Sequence, residues 1–276
     1  MSDQKSVLTT GCSSGIGRCA AEILLKRGYR VFATARKQED VNQLISDGFE
    51  SEQLDLANSV SIRKALENIL NKTGGKLYAL FNNGAYGQTG AVEDLDRDVL
   101  REQFETNFFG THELTRLVIP VMRARGEGRI IQNSSVLGFV ALKYRGAYNA
   151  SKFALEGLTD TLRLELKGSG IYVSLIEPGP IESDFRKNAY ASYLRNIIKD
   201  NSYHKSYYDQ VEQRLQTEGP VVPFTLKPEA VIKKLILALE SNRPKPRYYV
   251  TFPTYLFAVL KRILTVRLLD RILERI

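Results

Sequence analysis

Short apolar or β-branched runs alternate along this chain with longer stretches whose apolar residues recur at helical spacing. Val7-Leu8-Thr9 reads as a strand, and Ile16 to Lys26 as a helix stopping at Gly28. Arg30 to Ala35 and Glu52 to Leu56 read as strands, each followed by a helix, at Val41 to Ile45 and at Val60 to Leu70. Leu77 to Phe81 precedes two helical stretches over Val99 to Arg125, with a break near Thr106. Strand Arg129 to Gln132, helix Ala147 to Lys167 and strand Ile171 to Ile176 follow. Helix Glu229 to Leu239 and a strand near Tyr248 to Val250 complete the series. Interleaving of this kind needs crossover connections, hence a mostly parallel sheet covered on both faces. The pattern predicts an α/β fold, a doubly wound parallel sheet in three αβα layers. One domain over residues 1–252 carries a helical C-terminal extension at 253–276.

Composition narrows the chemistry. With 43% hydrophobic and 25% charged residues, wholesale disorder is excluded. The two cysteines, Cys12 and Cys19, cannot make a disulfide framework and lack zinc-ligand spacing. The two histidines, His112 and His204, argue against a histidine-rich metal site, so no metal is expected. Lys plus Arg 39 against Asp plus Glu 31 gives +8, a charge that suits a phosphorylated cofactor or an anionic membrane. No nucleic-acid motif accompanies the charge, and no nucleic-acid partner is expected. The opening residues do not read as a signal peptide. The uncharged run Tyr248 to Leu260 falls short of the roughly 20 residues that span a bilayer. A cytoplasmic protein is the expectation.

Thr10-Gly11-Cys12-Ser13-Ser14-Gly15-Ile16-Gly17 stands between the first strand and the first helix. Glycines there let backbone approach a pyrophosphate, and the helix N-terminus supplies free N–H groups, as in the Rossmann dinucleotide fold. At the end of the second strand an acid would select NAD, whereas Arg36 suits the 2′-phosphate of NADP. The cofactor expected is NADP(H) rather than NAD(H). Asp55, closing the third strand, is placed for the adenine amino group. Tyr148 and Lys152 share a helix face, and an ammonium near a phenol favours phenolate, which makes Tyr148 a proton donor and acceptor for a carbonyl/alcohol couple. Ser134-Ser135 and Asn82-Asn83-Gly84 follow strands at the edge where open α/β sheets place ligands. Asn107 interrupts a helical stretch.

Together these blocks resemble the short-chain dehydrogenase/reductase family, in its single-domain form, over about Ser6 to Ser183. The resemblance implies that Tyr148 passes the proton and that Lys152 lowers its pKa while binding the nicotinamide ribose. It implies that Ser135 polarises the carbonyl and Asn107 positions a relay water. Pro178, Gly179 and Ile181 would pack beside the nicotinamide, with Ser183 where the family usually has Thr. Gly11 through Gly17 with Leu56, Asn83 and Gly84 complete the cofactor set. The family's Asn-Asn-Ala-Gly reads Asn-Asn-Gly-Ala here.

Residues 184–227 lose strand–helix regularity and are rich in tyrosine, which fits a lid over the substrate or amphipathic helices packed on the body. His204, within it, reads as a surface histidine. Beyond Pro253, Arg267, Arg271 and Arg275 form a basic stripe opposite Leu268, Leu269, Ile272, Leu273 and Ile276. Such a helix suits peripheral membrane contact, closure of the substrate pocket, or packing on a second subunit. The tail is similar to those of bacterial NADP-dependent aldehyde reductases and of members acting on steroids or retinoids. A hydrophobic aldehyde or ketone, or the matching alcohol, is the expected substrate, with a homodimer or homotetramer as assembly. A 3-oxoacyl-thioester reductase and a non-catalytic NADP-binding regulator are the competing readings.

Overall fold

The computed structural model describes residues 4–217 and 219–276. The strands are β1 (Ser6–Thr9), β2 (Arg30–Ala35), β3 (Glu50–Gln53), β4 (Ala79–Asn82), β5 (Gly128–Asn133), β6 (Ile171–Glu177) and β7 (Arg247–Tyr249). Every pairing is parallel, in the order β3-β2-β1-β4-β5-β6-β7. Between them lie α1 (Gly15–Lys26), α2 (Gln38–Ser46), α3 (Ser59–Thr73), α4 (Arg97–Phe104), α5 (Gly110–Arg125) and α6 (Gly146–Glu165). After β6 come α7 (Phe185–Asn196), α8 (Lys205–Gln216) and α9 (Glu229–Glu240), and after β7 come α10 (Phe252–Ile263) and α11 (Val266–Leu273).

Consecutive strand residues face opposite layers. Val7 joins the core formed with Ala20, Ala21 and Leu24 of α1 and Val231, Leu235 and Ala238 of α9. Its neighbour Leu8 joins Ile62, Ala65 and Ile69 of α3 and Leu114, Val118 and Met122 of α5. Both strand faces are therefore dry, which is why the strands read as apolar runs rather than alternating ones. Local chemistry sets the helix ends: the Asn58 side chain accepts from Ser61 N, Asp96 accepts from Val99 N, and Gly74 and Gly126 close α3 and α5 at positive φ.

The structure corrects the sequence reading in two places, and in a third it shows the packed helices that were one of its two readings. β3 ends at Gln53, so Asp55 lies beyond the strand instead of closing it. The irregular interval 184–227 contains two twelve-residue helices, α7 and α8. Ala189, Tyr193, Tyr208, Val211 and Leu215 of this pair form a third core with Ala91, Leu95 and Val99. Tyr193 and Tyr208 are core residues of this pair, whereas Tyr207 is exposed. The extension is two helices, α11 ending at Leu273, so Arg275 and Ile276 lie past it. Among the described residues, no helix is long and apolar enough to cross a membrane.

Candidate active site

β1 is flanked by β2 on one side and β4 on the other, so the chain's winding direction reverses between β1 and β4. The crevice outside the carboxyl ends of these strands is where such sheets bind ligands. Thr10 fastens it: its hydroxyl accepts from Asn83 N (2.9 Å) and Gly84 N (2.8 Å). The Asn83 side chain in turn donates to Thr10 O and Gly11 O and accepts from Asn133 Nδ2 at 2.9 Å, joining β1, β4 and β5.

The loop residues fit a dinucleotide. Gly11 and Gly15 have φ of +69° and +55°, and a Cβ on Gly17 would lie 2.0 Å from Gly11 O. Unlike α3 and α4, α1 begins without a side-chain cap and with no acid in its first turn. Its N–H groups and positive dipole end are left for an anion. Ser13 is exposed here, with Ser14 and Ile16 half-buried. Cys12, counted with this loop on sequence grounds, turns away instead. Its amide donates to Thr34 O, its thiol to Thr9 O at 3.2 Å, and burial pushes the thiol up to about 12. Ser183 reaches the loop from the other side, its Cβ 3.0 Å from where a Cβ on Gly15 would stand.

At the adenosine end, Arg36 is exposed and makes no side-chain hydrogen bond or ion pair within the described residues, while its carbonyl accepts from Gln53 Nε2 at 3.1 Å. Asp55 accepts from Ala57 N at 3.0 Å, which orients its carboxylate in the turn. Leu56 and Gly84 are in close approach: a Cβ on Gly84 would be 2.8 Å from Leu56 Cδ1.

Tyr148 and Lys152 lie on successive turns of α6, both buried. Lys152 Nζ donates to Asn133 O at 2.7 Å and stands 5.7 Å from the Tyr148 ring centre. Ser135 sits at the β5 end and caps the short turn Val136–Gly138, accepting from Leu137 N. Asn107 lies in a wide turn at Glu105–Phe109 between α4 and α5, which is the break expected near Thr106. Its side chain accepts from Tyr86 N, donates to Tyr86 O at 2.9 Å, and donates to Ser151 Oγ at 3.2 Å. It therefore clamps the loop after β4 onto α6 beside Lys152.

Burial pushes the Tyr148 phenol up to about 12, and the pull the other way comes from the Ser135 hydroxyl and the Arg145 guanidinium. Burial likewise brings Lys152 down to about 8, against a smaller opposing pull from Glu156. Desolvation outweighs the cation because both groups are removed from water together.

Several residues here were not anticipated. Phe185 packs edge-on against Tyr148 at 5.2 Å, and a Cβ on Gly87 would meet both rings. Arg145 precedes Tyr148 by one helical turn, a spacing that could have flagged it. Behind Lys152, Glu156 and the fully buried Glu177 share Arg247, with Glu177 at 2.5 Å, and both carboxyls are raised, chiefly by burial. His204 is not a free surface histidine: Nδ1 is 3.1 Å from Tyr144 Oη and Nε2 2.6 Å from Glu93. Tyr144 is held at φ 59°, stacked on Tyr207 at 4.4 Å, so α7–α8 grip the segment leading to Tyr148. On the β6 side, Pro178 O accepts from Val136 N, a Cβ on Gly179 would strike Thr251 Oγ1, and Ile181 pairs with Leu226.

Comparison with known proteins follows the same lines. The short chain dehydrogenase family profile matches residues 5–193. An uncharacterized oxidoreductase of Escherichia coli K12, YbbO, is 42% identical over 271 residues, 98% of this chain and 94% of that protein. The NADPH-dependent 3-dehydrocapnine reductase of Ornithobacterium rhinotracheale is 32% identical, over 96% of this chain and 94% of its own. A short-chain dehydrogenase structure from Streptomyces avermitilis superposes with a TM-score of 0.78 at 27% identity, covering 95% of this chain and 94% of that one.

Proposed function

The chain belongs to the short-chain dehydrogenase family, and from that premise we propose that it reduces the carbonyl of a hydrophobic aldehyde or ketone with NADPH. As a family member it is an oxidoreductase acting on CH–OH or C=O groups. The observation that carries the finer reading is the convergence of Tyr148, Ser135 and Lys152 at the crevice where α1 offers uncapped N–H groups.

In this reading Gly11, Ser13 to Gly17, Asn83 and Gly84 hold the pyrophosphate side of the nucleotide, and Arg36 its 2′-phosphate. Lys152 holds the nicotinamide ribose; Pro178, Gly179, Ile181 and Ser183 bound the nicotinamide. When bound, the nucleotide supplies the hydride. Ser135 donates to the carbonyl oxygen and Tyr148 passes it a proton. Burial keeps the phenol protonated at neutral pH, the form a donor needs, which supports reduction over alcohol oxidation. Lys152, bonded to Asn133 O, and Asn107, bonded to Ser151, carry the proton path inward. Phe185 supplies an apolar wall beside the phenol. NADPH use is further supported by the reductase of O. rhinotracheale, whose name records that dependence. The tail is read as a peripheral contact for an anionic membrane, because Leu268 and Ile272 are exposed among Arg267, Arg271 and Arg275.

The test is coenzyme oxidation with straight-chain aldehydes and ketones against 3-oxoacyl thioesters, each with NADPH and NADH. Turnover of the free carbonyls with NADPH is expected. Turnover of thioesters alone, or of nothing, overturns the reading.

A further inference from the structure

Arg145 caps the N-terminus of α6, three residues before Tyr148. Its backbone is fixed against the loop after β4, where Gly90 and Arg145 form a parallel bridge and Gly90 N donates to Tyr144 O. Nη1 donates to the buried Thr89 hydroxyl at 2.5 Å. No carboxylate among the described residues pairs with this guanidinium, whereas the part-buried Arg18, Arg30 and Arg247 each hold one or more acids. Burial draws Arg145 down to about 10, and Arg214 of α8 is near enough to repel it. Arg145 and the phenol of Tyr148 also lie within each other's field.

A half-buried guanidinium held by one threonine and facing no acid among the described residues is open to an anion, and the planar fork of arginine fits the paired oxygens of a carboxylate, sulfonate or phosphate. We propose that Arg145, with Arg214 of α8 nearby, recognises an oxyanion on the carbonyl substrate, a few carbons from the carbonyl that meets Tyr148. The spacing follows from α6, since residues three apart on a helix have Cβ atoms roughly 5–6 Å apart. The edge-on Phe185 on the other side of the phenol receives the apolar part. The substrate class is then an amphiphilic oxo acid rather than a neutral aldehyde. This deepens the reductase reading and rests on it.

Two measurements keep the inferences separable. In the first, kcat/KM with NADPH is compared for oxo-carboxylates and plain aldehydes of four to eight carbons. The wild type is expected to favour the oxo acids at least tenfold. Arg145→Gln should erase that ratio, Arg145→Lys should keep part of it, and Arg214→Gln should reduce it several-fold. In the second, the NADP-loaded protein is titrated calorimetrically with hexanoate, hexyl phosphate and hexanol. The two anions should bind at least tenfold tighter than the alcohol, and Arg145→Gln should abolish the difference; which anion binds tighter identifies the oxyanion. An oxo-acid preference that survives in both variants, or equal binding of anion and alcohol, overturns the proposal even if plain aldehydes are reduced. Arginine-dependent anion binding without turnover of any carbonyl would sustain the site and sink the reductase reading. Should Arg145→Gln fail to fold, the exposed Arg214→Gln carries both comparisons.

Discussion

Tyr148 is a phenol held away from water, with one serine and one arginine opposing the effect of its burial. Its pKa near 12 means that alcohol oxidation, which starts from phenolate, should accelerate with pH up to tenfold per unit between pH 7 and 9. Carbonyl reduction should stay nearly flat from pH 6 to 7.5, and parallel pH profiles for the two directions would refute this assignment. At the same scale, the proposed role of Arg36 in coenzyme choice is open to test. Charge-assisted contacts contribute about 1.5–3 kcal/mol when formed. Because Arg36 is exposed, the lower end applies, and Arg36→Ala should cut kcat/KM for NADPH about tenfold with NADH unchanged. An unchanged NADPH/NADH ratio would assign the 2′-phosphate elsewhere. That Tyr148 and Lys152 share one face of α6 was legible from their spacing. The balance of forces on Tyr148 was not, since desolvation depends on what the rest of the chain places around it.

Along α6, Tyr148, Lys152 and Glu156 recur every four residues and line one buried face. Glu156 and Glu177 contend for Arg247, which also holds Asp160 at 2.5 Å. Glu177 is raised to about 8, mainly by burial and then by Glu156, so the folded state keeps a proton that the unfolded chain releases near pH 4–5. Stability from this group falls as pH rises through that window, by up to about 1.4 kcal/mol per unit. Between pH 5 and 7.5, Glu177→Gln should flatten the decline of Tm with pH; an unaltered slope would mean that Glu177 ionises normally. At the wide turn before α5, Asn107→Ala would strip the Tyr86 amide of its partner, while Gln103 Nε2 still donates to the Tyr86 carbonyl. At about 1–3 kcal/mol for that one group, Tm should drop by roughly 2–12 °C; a smaller loss would mean that water replaces the clamp. The break in this helix was readable from sequence, because asparagine in a helical run is locally costly. The acid pair was not: Arg247 arrives from the far end of the chain, and no period links it to Glu156.

Over the whole molecule, the reversal of strand order between β1 and β4 puts the glycine loop, the Asn82-Asn83 loop and the β5 end around one crevice. The parallel sheet followed from the strand–helix alternation. The strand order and the placement of α7–α8 and the tail did not, because packing partners distant in sequence decide them. The tail is tied to the segment before α6, with Lys261 donating to Phe139 O and Lys143 to Glu274 O at 3.1 Å. If it also meets a membrane, replacing the exposed Leu268 and Ile272 by glutamate should release the protein from phosphatidylglycerol vesicles with Tm nearly unchanged. Equal vesicle retention would leave the tail a purely internal strap. The most direct trial of the whole account compares Tyr148→Phe with the wild type in NADPH-driven aldehyde reduction, with NADPH affinity measured alongside. The account predicts a loss of at least a hundredfold in kcat at unchanged affinity; equal rates with nucleotide bound would contradict it.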